Sequence, residues 1–180
     1  MGGNGVDEKK FTRHWVAIAT VYLAVLLDGA VAHVLGQWIM RATYTGVPQL
    51  TLLSLVLVVV FVPQENWVMP IAIGAGLITD FFYTGILGVN TFILPLIVFL
   101  VTQVRPIVPR RWLFVWAVFV IAVTISEVAS YVVAMMLGST TASVGALITQ
   151  HIAPGLTVNI ILFAIMYYVL SRLLVKLTQD

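Results

Sequence analysis

Apolar residues run through this chain in long blocks broken by short polar or proline-containing stretches. The spacing of the breaks fits membrane crossings. The first block covers residues 15–40, roughly 26 residues or ~39 Å of helix, long enough to cross with tilt. Lys9, Lys10, Arg13 and His14 form a basic collar before it, and Trp15 marks the interface. Met1 to Glu8, rich in Gly, is expected to be irregular. Thr43 to Pro48 reads as a turn. A compact second block, residues 49–62, is stopped by Pro63. A third, residues 68–83, has Pro70 in its first turn, where the missing N–H costs little. The fourth, residues 90–104, contains Pro95, which predicts a kink and a carbonyl near Thr91 in need of a donor. Arg105, Pro106, Pro109, Arg110 and Arg111 make a stiff basic connection to a fifth block, residues 112–136. A sixth, residues 155–175, starts after Pro154. Between them, residues 142–152 place Val144, Leu147, Ile148 and Ile152 near one face, which suits a short interfacial helix, with a flexible Ser/Thr-rich loop as the alternative.

Composition agrees with this pattern. With 61% hydrophobic and 9% charged residues and a mean hydropathy of +1.08, the chain is unsuited to folding around one aqueous core. The expected architecture is a single all-α integral membrane domain over residues 1–180 with six transmembrane helices and no soluble domain. The absence of cysteine excludes disulfides, thiolate metal sites and cysteine nucleophiles. A net charge of +2 gives no reason to expect nucleic-acid binding. The collar, the apolar run and Ala30-Val31-Ala32 imitate a cleaved signal peptide, but Asp28 interrupts the pattern and hydrophobicity continues to Met40, so a retained first helix is expected. Given six spans, Lys9, Lys10, Arg13, Arg105, Arg110, Arg111, Arg172 and Lys176 fall on one side and Arg41 alone on the other. That asymmetry predicts cytoplasmic termini.

Three acids interrupt the apolar blocks, and a carboxylate at membrane depth needs a partner. Asp80 is followed by Thr84, Gly85, Gly88 and Asn90, a glycine-rich turn between the third and fourth helices. The first N–H groups of the fourth helix lack intrahelical acceptors and lie at its positive dipole end, so Asp80 is placed to cap them. Asp28 lies within a four-residue ladder, Thr20, Ala24, Asp28, Ala32 and Gly36, whose small members predict close helix packing. His33 is the donor suggested for it, and a packing role for that histidine is preferred to a ligand role because no second His or Cys lies at metal-ligand spacing. Glu127, beside Ser126 and Ser130, is the third acid. Gly76 shares the Asp80 face of the third helix, and Gly74-Ala75-Gly76 reads as packing, not as a phosphate cradle.

Catalytic signatures are missing. There is no H-E-x-x-H, no G-x-S-x-G and no Walker lysine after a glycine loop. Asp28 and Asp80 would be the pair for an intramembrane aspartyl protease, but Gly76-Leu77-Ile78-Thr79-Asp80 lacks the glycine expected immediately before the aspartate. No enzyme activity, cofactor or metal is expected.

The stretch Asp80-Phe81-Phe82-Tyr83-Thr84-Gly85-Ile86-Leu87-Gly88, with a glycine-containing helix before it and an apolar span after it, resembles the rod shape-determining protein MreD family, in particular its Gram-positive type. Length, six spans and polar ends extend the likeness, while Phe81-Phe82 and Asn90 depart from the usual pattern. The resemblance implies a non-enzymatic membrane component of the cell-elongation machinery, acting in lateral peptidoglycan synthesis with MreC, the actin-like MreB, RodA and a penicillin-binding protein. It also implies a fold similar to the S-components of energy-coupling-factor vitamin transporters. A substrate-binding S-component or small permease is the alternative function, for which the polar groups of the outer loops are few.

Overall fold

The computed structural model describes residues 5–41, 44–63, 65–138 and 143–179. Six principal helices follow one another: α1 (Gly5–Ile39), α2 (Leu50–Phe61), α3 (Val68–Thr79), α4 (Val89–Val104), α5 (Trp112–Met136) and, after the three-residue α6 (Val144–Ala146), α7 (Ala153–Gln179). A two-residue antiparallel pairing of Met40–Arg41 with Tyr44–Thr45 closes the hairpin between α1 and α2.

The second helix is the axis of the bundle. It is apolar on every side apart from Thr51 and Ser54, and all twelve of its residues are buried. A helix without a polar face has to be surrounded. Here α1, α3, α4, α5 and α7 all touch it. Ser54 turns its hydroxyl onto its own helix, donating to the Thr51 carbonyl at 2.8 Å, which removes the cost of burying it.

One end of the bundle is tied by polar contacts. Glu65, just past α2, accepts from the Trp67 N–H at 3.0 Å and pairs with His14 of α1 at 2.5 Å. Arg105 at the end of α4 donates to the Pro63 carbonyl at 3.2 Å. Near the close of α7, Arg172 lies 4.2 Å from the centre of the Tyr168 ring. Phe119, Phe163 and Tyr167 stack in a row joining α5 to α7.

Two places differ from the sequence reading. Gly5 to Glu8, expected to be irregular, belong to α1. Among the described residues 143–152 there is no separate interfacial helix. Val144–Ala146 passes into a π-helical segment, Leu147–Ile152, that runs directly into α7, with Pro154 accommodated at that helix's start. Residues Thr43 and Ser139 to Ala142, which the turn and loop assignments include, lie outside the described residues. Pro95 stands inside a continuous α4.

Small residues set the approach of α3 to its neighbours, but not uniformly. A Cβ on Gly76 would stand 2.5 Å from the Asn90 carbonyl oxygen and 2.6 Å from the Thr91 Cα, so α3 and α4 touch backbone to backbone. Gly74 faces the Tyr22 hydroxyl and Gly29 the Tyr83 ring. Ala24 is buried against the core and Ala32 is half-buried. Gly36 behaves differently from expectation: among the described residues nothing lies within 4 Å of a Cβ built there, so it makes no close helix contact.

Candidate functional site

Asp80 ends the regular part of α3. The chain continues through a single π-helical turn, Asp80–Thr84, and leaves it at Gly85 with φ 68. Gly88, with φ 100, then opens α4. Both glycines occupy the left-handed region that a side chain disfavours. This reversal brings the start of α4 over the carboxylate, which is fully buried. Oδ2 accepts from the Gly88 N–H at 2.9 Å, the Thr91 N–H at 3.0 Å and the Thr91 hydroxyl at 2.8 Å. Oδ1 accepts from the Asn90 N–H and the Asn90 side-chain amide, each at 2.9 Å, and from the Thr84 hydroxyl at 3.3 Å. Asp80 therefore caps α4 from the preceding helix, supplying acceptors to N–H groups that helix geometry leaves without partners. Negative charge there also complements the positive end of the helix dipole.

Asp28 does the same for α2. Its Oδ1 accepts from the Leu50 N–H at 2.6 Å, and its Oδ2 from the Thr51 N–H at 2.7 Å and the Thr51 hydroxyl at 2.6 Å. The suggested donor, His33, is exposed, and Asp28 turns instead to the helix start across the hairpin. Free backbone N–H groups at the end of an axial, water-free helix compete for an acceptor better than a side chain at the rim.

Beside it lies the third acid. Glu127 Oε1 accepts from the Gln49 side-chain amide at 2.8 Å. A Cβ on Gly155 would come within 3.4 Å of the same oxygen, which brings the start of α7 against it. Asn159 of α7 completes the cluster. It accepts from the Gln49 N–H at 2.8 Å and donates to the Val47 carbonyl at 2.8 Å and the Gly155 carbonyl at 2.9 Å. Tyr83, on the turn below Asp80, donates to the Val25 carbonyl of α1 at 3.2 Å and links the two capping systems.

The arrangement thus gathers Asp28 and Glu127, through Gln49 and Thr51, around the start of α2, and gathers Asp80, Thr84, Gly88 and Asn90 around the start of α4. Gly85 serves by its backbone, and Ala32 and Gly36 belong to neither cluster. Gln49, Thr51, Thr91 and Asn159 were not singled out from sequence. A polar residue inside an apolar block is the signal that Asn159 offered. Among the described residues no group of three or more His, Cys, Asp or Glu is placed to hold a metal ion.

Removing the Asp28 carboxylate should therefore cost more than a surface change. Asp28→Ala leaves the Leu50 and Thr51 N–H groups without acceptors in a dry place, at ~1–3 kcal/mol for each unsatisfied donor. Thermal unfolding of the purified variant in detergent should fall well below that of the parent chain, and His33→Ala should unfold with the parent.

The class this defines is an all-α integral membrane protein, with three helices long and apolar enough to cross a bilayer, His14–Val34, Trp112–Met136 and Ile148–Lys176, and three shorter apolar helices between them. The family model for rod shape-determining protein MreD matches residues 9–177, and the chain belongs to that family. No curated protein and no solved structure matches the chain, so the likeness to energy-coupling-factor S-components rests on the resemblance alone.

Proposed function

We propose that the chain is a non-enzymatic membrane scaffold of the cell-elongation complex, organising lateral peptidoglycan synthesis and rod shape through contacts with MreC and, through the complex, with MreB, RodA and a penicillin-binding protein. Membership of the MreD family carries the reading. The chemistry of the acids supports it. Asp28 and Asp80 are engaged by helix-start donors of the chain itself and Glu127 by Gln49, the use expected of carboxylates that hold a shape. Contacts with partners in the membrane are then helix to helix. MreB is met through the termini and short loops on the basic side. Affinity capture of intact complexes from native membrane, followed by identification of the accompanying chains, tests the reading. MreC and the synthases should come along, and capture of transporter ATPases in their place would contradict it.

The same reading places both termini in the cytoplasm, on the basic asymmetry of the sequence. Single cysteines introduced into this cysteine-free chain check it. Ser143→Cys should react with an impermeant thiol reagent applied outside intact cells, and Asn66→Cys should react only after the membrane is opened. The reverse pattern would invert the orientation.

A further inference from the structure

We infer that the turn joining α3 to α4 is a lipid-immersed tip, with Phe81, Phe82, Ile86, Leu87 and Phe92 among the acyl chains of the leaflet on that side. The first observation is one of length. His14, Glu65, Trp67, Pro63 and Arg105 are tied together at one end, which sets a common floor for α1, α2, α3 and α4. From that floor, α3 with its π-helical turn rises ~25 Å and α4 ~24 Å at 1.5 Å per residue, against a hydrocarbon core ~30 Å thick. The apolar stretch of α1 reaches ~31 Å and α5 ~37 Å on the same rise. The α3–α4 turn therefore stops below the surface that the long helices reach.

The second observation is the chemistry of the tip. No Asp, Glu, Lys, Arg or His occurs between Asp80 and Arg105. Phe82 is 78% exposed, Leu87 61% and Phe92 69%, an apolar surface that water would disfavour and acyl chains would not.

The third concerns the backbone. Non-helical chain at membrane depth persists only where its polar groups find partners within the protein. Asp80 supplies them to the N–H groups of Gly88, Asn90 and Thr91 through its carboxylate and to the Gly85 N–H at 2.8 Å through its carbonyl. In water those donors would need no buried acceptor. By taking those donors, Asp80 lowers the cost of setting a glycine-rich reversal in lipid.

The test places a spin label on single cysteines in the full chain, Leu87→Cys and Phe82→Cys, reconstituted in dioleoylphosphatidylcholine bilayers. Accessibility to oxygen, which partitions into lipid, is compared with accessibility to a water-soluble nickel chelate. Phe99→Cys, on the exposed side of α4, is the lipid reference and Asn66→Cys the water reference. Both tip positions should give an oxygen-to-nickel ratio matching Phe99 and several-fold above Asn66. A ratio matching Asn66 at either position places the tip in water, and low accessibility to both reagents shows it covered by protein, including a second copy of the chain. Either result overturns the inference. The substituted side chains lie outside the core, so each labelled variant should keep the thermal stability of the parent, and a variant that unfolds earlier would contradict the exposed placement itself.

Discussion

Replacing Asp80 with Leu should cost roughly 3–9 kcal/mol, taking ~1–3 kcal/mol for each of the three backbone donors it leaves without an acceptor. Against a typical total of about 5–15 kcal/mol, the variant would be largely unfolded or recovered in poor yield. Asp80→Asn is the informative comparison. From the sequence alone the exchange looks mild, about 1 kcal/mol for a charged against a neutral hydrogen bond. The geometry makes it more severe. At 2.8–3.0 Å from the start of α4, Oδ1 accepts two donors and Oδ2 accepts three. An amide offers an oxygen to one set and an NH2 group to the other, so either the Gly88 and Thr91 N–H groups or the Asn90 donors lose their acceptor. The expected loss is roughly 2–6 kcal/mol by the same scale, below that of Leu because one set of donors keeps its acceptor. Differential scanning fluorimetry of the purified proteins should rank parent above Asn above Leu.

The second large effect is expected at Gly76. A methyl group there meets backbone atoms of Asn90 and Thr91 at 2.5–2.7 Å, and backbone cannot swing aside. Gly76→Ala must push α4 away from α3, and the same movement draws the Asn90 and Thr91 N–H groups off Asp80. Overpacking costs typically ~1–3 kcal/mol, and the loosened cap adds to that. Gly74, two residues earlier in the same motif and on nearly the opposite face, gives the contrast. Its added methyl would meet only the far end of the Tyr22 side chain, which can shift where backbone cannot. Gly74→Ala should unfold within about 1 kcal/mol of the parent by the scale for small adjustable overpacking. Equal destabilisation by the two would show that the α3–α4 contact is not the tight one.

That contrast also shows where the sequence stopped being informative. Gly74-Ala75-Gly76 reads as packing, and the four-residue spacing sets Gly76 on the Asp80 face, but only the position of Asn90 shows that Gly76 is the one with no room for a side chain. Asp80 was legible because its donors lie close along the chain, eleven residues away at most, and its glycines announce the reversal. Asp28 was recognisable as a buried acid needing a donor, but the donors stand more than twenty residues on, across a hairpin, and are backbone groups that no side-chain pattern marks. His33 was the nearest side chain along the helix, and proximity in sequence misled. The all-α membrane class followed from apolar runs punctuated by prolines, because a bilayer constrains length and hydrophobicity directly. The axial place of α2 is visible afterwards in its lack of any polar face, whereas the continuity of residues 147–152 with α7 runs through Pro154, which the sequence reads as a boundary. Gly36 shows the limit of spacing arguments: it continues the ladder of Thr20 and Ala24 but meets no helix among the described residues.

The Asp28 and Asp80 carboxylates hold helix starts in place, and the proposed role in the elongation complex rests on that shape and not on reactivity. It is tested most directly by measuring, for Asp80→Asn and Asp80→Leu, the thermal stability of the purified protein beside its ability to restore rod shape in cells from which the chain has been removed. The account predicts that rescue follows stability, with Asn retaining part of both and Leu little of either. Two variants as stable as the parent that both fail to restore rod shape would contradict it, because the negative charge itself would then be in use by a partner.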